Sequence, residues 1–242
     1  MHGQETFMPQ EFAELSALEL STPELADAAV RLGLAVRVAP PGIAAVTPGQ
    51  RVLGRALPVR HYGSVDVFLE AYGTAGPGQV LVIDNGGRAD EACAGDLAVL
   101  EAAAAGIAGV VIWGLHRDTP QLEEIGLPVF SYGSNPLGPL RVDPREPEAL
   151  ASARFGPHLV TAEDLVVADR DGVLFLPASH ARELAETAAA IHATERAQAD
   201  RIRAGDTLRR QTSFEDYLTR RAADPAYTFR EHLRLVGGAI EV

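Results

Sequence analysis

Two short apolar runs flanking an alanine-rich segment constrain this chain more than anything else in it. "GQVLVIDNGG" (78–87) is unbroken in its apolar centre and stops at Asp84, and "GVVIWG" (109–114) repeats the pattern. A run without polar alternation marks a strand buried on both faces. Between them "GDLAVLEAAAAG" (95–106) predicts a helix that ends at Gly106. Strand, helix and strand within roughly 35 residues form a right-handed βαβ unit, so the fold class is α/β with parallel strands. Such sheets bind ligands beyond the carboxyl ends of their strands, which directs attention to the segments after Asp84 and Gly114.

The rest of the chain is read around that unit. "TPELADAAVRLG" (22–33) predicts a helix with Thr22 as N-cap, Pro23 as first helical residue and Gly33 as the stop. Residues 34–53 read as loops and short strands, "VLGRALPV" (52–59) as a strand and "VDVFLEAYGTAG" (65–76) as a helix. "LPVFSYG" follows as a strand, and "LVVADRDGVLFLP" as two strands joined through an Asp-Gly turn. A long alanine-rich helix covers about 178–204, with Gly205 after it. Residues 1–205 are taken as one body and 206–242 as a helical extension that docks on the body or on a neighbouring subunit.

Composition excludes several chemistries. All 21 positive residues are arginines and none is lysine, which removes Schiff-base aldolases, pyridoxal-phosphate enzymes and Walker-type phosphate loops. Carbonyl chemistry would then need another electrophile, most simply a metal ion. With 33 acidic residues the formal charge is −12, which argues against a nucleic-acid partner. Cys93 is the single cysteine, so no internal disulfide forms and a reducing cytoplasm fits. "MHGQETFMPQEF" lacks the pattern of a signal peptide, and no apolar stretch approaches the roughly 18 residues of a membrane helix. A soluble cytoplasmic protein without a membrane partner is the expectation.

Three features meet at the carboxyl ends of the βαβ strands: a glycine-rich loop from Gly86-Gly87 to Gly95, the first turn of the helix after Asp96, and the adjacent Arg117 and Asp118. The loop lets backbone approach a ligand, and a helix start offers free N–H groups to an anion. Asp96 also reads as a plain N-cap, and Arg117-Asp118 as a surface pair before a helix. Thr119-Pro120 already supplies a cap and a first helical residue for that helix, which leaves Asp118 without a capping duty. Elsewhere, Asp169, Asp171 and Gly172 imitate a metal loop but read as a hairpin turn, and the seven histidines show no zinc-binding spacing.

"GDLAVLEAAAAGIAGVVIWGLHRD", with "LPVF" and "DLVVADRDGVLFLP" downstream, resembles the RraA-like family, which includes 4-hydroxy-4-methyl-2-oxoglutarate aldolases and regulators of ribonuclease E. The resemblance runs from about Ser21 to Gly205 and rests most on the step from Gly95-Asp96 to Arg117-Asp118. It implies a compact layered β/β/α fold of the swivelling-domain type, with peripheral N-terminal helices and a C-terminal helical extension. It further implies a homotrimer or hexamer with active sites at subunit interfaces.

Carried over residue by residue, the resemblance makes Asp118 the anchor of a largely hydrated divalent cation, Mg²⁺ or alternatively Mn²⁺. Arg117 faces the carboxylate and oxo group of a 2-oxo acid, with Gly95 and the Leu97 and Ala98 amides at the helix start beside it. Asp96 orients a metal-linked water that removes a hydroxyl proton, and Glu195 from an adjacent subunit adds an acidic group. Glu195 equally reads as part of a charged helix face, and His116 as a substrate contact or as packing beside the strand end. The implied function is a metal-dependent lyase that cleaves a 4-hydroxy-2-oxo acid to pyruvate and a second carbonyl compound, with oxaloacetate decarboxylation as a side activity. The alternative is a non-catalytic protein-binding regulator of the ribonuclease E type. Some relatives carry the name of a menaquinone methyltransferase, but no S-adenosylmethionine motif follows the first strand here. The loop "NGGRADEACAGD" and the tail after Gly205 depart from many relatives, so the far end of the substrate pocket is the part least defined by the resemblance.

Overall fold

The structure, a computed structural model, describes residues 18–237; "MHGQETFMPQEF" lies outside the described residues. Twelve strands are described: β1 (Arg37–Val38), β2 (Ala44–Ala45), β3 (Val52–Arg60), β4 (Val80–Asp84), β5 (Ala92–Ala94), β6 (Gly109–Trp113), β7 (Leu115–His116), β8 (Val129–Ser131), β9 (Ser152–Phe155), β10 (His158–Thr161), β11 (Asp164–Asp169) and β12 (Gly172–Pro177). Eight form one sheet in the order β1-β12-β11-β3-β4-β6-β8-β2. Its centre, β3-β4-β6-β8, is parallel as the apolar runs predict, and antiparallel strands extend it on both sides.

Side-chain alternation divides the strands between two cores. Leu81, Ile83, Val110 and Ile112 face one side, where they meet helices α2 (Asp66–Tyr72), α3 (Asp96–Ala104) and α4 (Thr119–Ile125). Val80, Val82 and Val111 face the other side, where Phe130, Phe155, Val166 and Phe175 join them. The β9–β10 hairpin supplies Phe155 to this second core, and its ring meets Phe175 at 5.1 Å and Trp113 at 6.2 Å. Burying each such phenylalanine contributes about 1.5–3 kcal/mol. Hairpin, curled sheet and helices are the three layers of the expected β/β/α arrangement.

A third core joins α1 (Thr22–Arg31) and α5 (Ala181–Arg203) to β11 and β12 through Leu25, Ala28, Leu165, Leu174, Leu184 and Ala188. The N-cap of α1 is Ser21 rather than Thr22: Ser21 and Glu24 form a reciprocal capping box. Thr22 instead gives its N–H and its hydroxyl to the buried Asp169 carboxylate, both at 2.7 Å. Asp169 also accepts the Asp171 amide at 2.9 Å, so this carboxylate ties the hairpin to α1. Asp169 pairs with Gly172, which leaves Arg170-Asp171 as the two-residue turn, one position earlier than an Asp-Gly turn.

After α5 come α6 (Leu208–Gln211), α7 (Phe214–Ala223) and α8 (Phe229–Val236), with Gly205 in the left-handed region at the junction. Phe214, Tyr217 and Phe229 pack ring against ring at 4.9–5.4 Å. Gln211 Nε2 donates to the Gln198 carbonyl, which holds these helices against the end of α5. Among the described residues no helix is long and apolar enough to cross a membrane.

Candidate functional site

The site depends on a strand pair too short to read from sequence. β5 runs parallel to β7, and Arg117 N–H donates to the Ala94 carbonyl at 3.0 Å. This places Gly95-Asp96, at the start of α3, directly beside Arg117-Asp118, at the start of α4. The expected loose loop before Gly95 is therefore partly strand, with Ala92, Cys93 and Ala94 buried. It begins in a tight turn at Gly86 and Gly87, both with positive φ, where a Cβ on Gly87 would meet Trp113 Nε1 at 2.8 Å.

A cavity of about 320 Å³ opens there, lined by Gly95, Asp96, Leu97, Ala98 and Arg117 together with His61 and Cys93. Asp118 stands just behind Gly95: a Cβ on that glycine would come within 2.3 Å of Asp118 Oδ2 and 3.0 Å of Arg117 Nε. Only glycine lets both functional side chains approach this closely. Asp118 itself adopts left-handed backbone (φ 61°, ψ 40°), which non-glycine residues seldom do. It holds the N-cap position of α4 but its side chain does not cap; Oδ2 turns back to the Asp96 N–H at 3.3 Å and to Arg117 Nε at 3.3 Å. Thr119 is the first helical residue rather than the cap.

The N-cap of α3 is Gly95, so Asp96 is not a cap either. Asp96 Oδ1 accepts the Leu97 N–H at 2.7 Å, so a substrate carboxylate would have to displace that bond to use the Leu97 amide. The Arg117 side chain is 49% exposed and that of Asp118 34%, so their contact leaves both open to a ligand.

Two of the candidate residues lie elsewhere. His116 is buried, with Nδ1 on Ser131 Oγ at 2.7 Å and Nε2 on Thr119 Oγ1 at 2.9 Å, and it lines a different, shallower pocket. Burial pushes its pKa down. Glu195 sits on α5 beyond the segment buried against α1, on an element that does not line the cavity.

The sequence reading missed His61, which follows β3 at the carboxyl end of a parallel strand, the position where such sheets place ligands. Its ring stacks on Phe68 at 5.3 Å, and Nδ1 meets Asn85 Oδ1 at 2.8 Å. Behind it the buried Glu91 pairs with Arg141 at 2.8 Å, and Asp84 pairs with Arg154 at 2.6 Å. These inner carboxylates are neutralised by arginine. Burial raises the thiol pKa of Cys93, which leaves it a poor nucleophile.

Among the described residues no group of three or more His, Cys, Asp or Glu side chains converges as a metal cage. Asp118 Oδ2 is engaged by Arg117 and by the Asp96 N–H, so a cation held there would have few protein ligands and would keep most of its water.

The Aldolase/RraA model of the RraA-like family matches residues 22–175. The chain belongs to this family. A Hahella chejuensis protein named "Putative 4-hydroxy-4-methyl-2-oxoglutarate aldolase" is 30% identical over 157 residues, 64% of this chain and 92% of that one. Among solved structures, an uncharacterized protein from Pseudomonas syringae superposes with TM-score 0.70 at 29% identity, covering 83% of this chain and 96% of that one. Streptomyces coelicolor RraAS2, described as an unusual member of the RNase ES inhibitor RraA family, superposes with TM-score 0.61 at 29% identity, covering 75% and 92%. Family membership thus agrees with the resemblance read from the sequence, and the matched span holds all of the cavity residues.

Proposed function

We propose that this RraA-like chain is a divalent-cation-dependent lyase that cleaves a 4-hydroxy-2-oxo acid to pyruvate and a second carbonyl compound. The observation that carries this reading is the convergence of Asp96 and Arg117 on one cavity, with Asp118 held behind Gly95. Cleavage of the C3–C4 bond leaves its electron pair on the pyruvoyl fragment as an enolate, so catalysis requires positive charge at the 2-oxo end. Arg117 supplies a guanidinium there that stays charged and can grip a carboxylate through two N–H groups. Asp118, with Asp96 beside it, would hold the cation, which when bound adds Lewis-acid stabilisation of the same oxygen. A proton must also leave the 4-hydroxyl oxygen, a step that the family resemblance would give to a water oriented by Asp96. Oxaloacetate decarboxylation passes through the same enolate and is expected as a side activity.

The cavity's rim supports cover by a second copy of the chain, and a trimer or hexamer with Glu195 supplied by a neighbouring copy is the form the resemblance implies. Leu97 is 76% exposed and Val65 51% exposed at the mouth, and such apolar surface calls for cover. The decisive experiment measures pyruvate release from 4-hydroxy-4-methyl-2-oxoglutarate and from oxaloacetate with Mg²⁺, for wild type and Arg117→Ala. Release that Arg117→Ala abolishes supports the lyase. The likeness to RraAS2 favours a second reading, a protein-binding regulator of ribonuclease E. Absence of any release, together with capture of ribonuclease E in a pull-down, would establish that reading instead.

A further inference from the structure

The hydrogen bonds around Asn85 fix the state of His61. Arg141 Nη2 lies 3.0 Å from Asn85 Oδ1, and a guanidinium can only donate, so the oxygen of the amide faces it. The same oxygen meets His61 Nδ1 at 2.8 Å, so Nδ1 carries the hydrogen. In a neutral imidazole Nε2 is then the unprotonated acceptor. Among the described residues no hydrogen bond engages Nε2, and the ring lines the cavity that Asp96 and Arg117 also line.

We propose that His61 is the catalytic base of the lyase reaction, its Nε2 taking the proton of the substrate 4-hydroxyl directly, in place of a water oriented by Asp96. This rests on the lyase reading above. The step balances without a further reagent. The hydroxyl proton moves to Nε2, the O–H electron pair becomes the π bond of the new carbonyl, and the C3–C4 pair passes to the pyruvate enolate. Solvent water then protonates C3, and the imidazolium returns its proton to solvent. A neutral imidazole whose Nε2 has no partner among the described residues can accept this proton directly. Burial holds the ring neutral and Arg141 acts in the same direction, while the Asn85 hydrogen bond, Glu91 and Asp66 oppose it; these, with Phe68, are the groups that face the ring. Asp96 Oδ1, by contrast, is already occupied by the Leu97 amide.

Decarboxylation of oxaloacetate needs no hydroxyl deprotonation, which supplies the test. His61→Asn keeps a donor toward Asn85 Oδ1 but has no basic nitrogen, so a purely structural role would be rescued by it. The ratio of kcat/KM for 4-hydroxy-4-methyl-2-oxoglutarate to that for oxaloacetate should fall about a hundredfold in His61→Asn, within the range of general-base effects. The acid limb of the hydroxy-acid kcat/KM profile should vanish with it, and Asp96→Asn should change the ratio less. A ratio unchanged in His61→Asn, or one lost in Asp96→Asn instead, overturns the assignment while the lyase reading stands. Wild-type protein inactive on both substrates overturns the lyase reading, and this assignment with it.

Discussion

Asp118 Oδ2 lies 3.3 Å from the Asp96 amide, although 22 positions separate the two residues. The contact exists because β5 and β7 pair in parallel and because Gly95 leaves no side chain between them. It joins the starts of two helices into one site.

Gly95→Ala should therefore test the site without replacing a functional side chain. Its Cβ would meet Asp118 Oδ2 at 2.3 Å, so Asp118 and Arg117 must move. A displacement of this order costs about a hundredfold in rate. Steady-state kinetics should show that loss while the circular dichroism spectrum stays native.

Arg117→Lys retains the charge and loses the planar fork. If Arg117 grips a carboxylate with two N–H groups, lysine substitutes poorly and kcat/KM drops by about 10²-fold or more. Activity within threefold of wild type would show that charge alone suffices there.

His116 should matter for stability rather than for turnover. Both ring nitrogens are bonded inside the protein, and removing such a buried group costs about 1–3 kcal/mol. Urea unfolding of His116→Ala should show this loss, with kcat/KM within a few-fold of wild type for the folded fraction. The pH dependence has a definite sign. His61 and His116 are both depressed below 6.5 by burial, so the unfolded chain binds more protons as pH falls through that value. Their contribution is complete above about pH 6.5 and declines below it, before the depressed carboxylates Glu24 and Glu146 begin to lose theirs below about 4.5. Unfolding free energy measured from pH 7.5 to 5.5 should decrease, and less steeply in His116→Ala.

Asp169 should behave as a structural anchor. Its carboxylate is buried and accepts the Thr22 N–H, the Thr22 hydroxyl and the Asp171 N–H. Asp169→Ala leaves these donors unpaired and should destabilise by about 2–4 kcal/mol, with no change in divalent-cation affinity. Isothermal titration with Mg²⁺ alongside thermal unfolding separates the two effects.

Much of this was legible in the chain because the signals are local. Unbroken apolar runs gave β4 and β6 and their parallel pairing, since residues alternating between two buried cores leave no polar phase. Glycines marked the helix ends, and the carboxyl ends of the βαβ strands directed attention to Asp96 and Arg117, both of which line the cavity. The errors follow from the same logic. Thr22 reads as a cap because Pro23 follows it, but the capping box of Ser21 and Glu24 wins, and Thr22 is drawn to a carboxylate 147 positions away. β5 is three small residues without β-branching, held by its pairing with β7 and by the Ala92 N–H on the Leu137 carbonyl. His61 carries no signal beyond its place after β3: Asn85, Arg141 and Phe68 reach it through the fold.

In the proposed lyase reaction a cation at Asp118 and the Arg117 guanidinium together absorb the charge of a leaving pyruvate enolate. This is tested most directly by the rate of pyruvate formation from 4-hydroxy-4-methyl-2-oxoglutarate as Mg²⁺ is titrated into EDTA-treated protein, wild type against Asp118→Asn. The expected result is a silent EDTA-treated protein, saturable recovery in wild type and little recovery in Asp118→Asn. Full pyruvate release in EDTA, or recovery in Asp118→Asn equal to wild type, would contradict it.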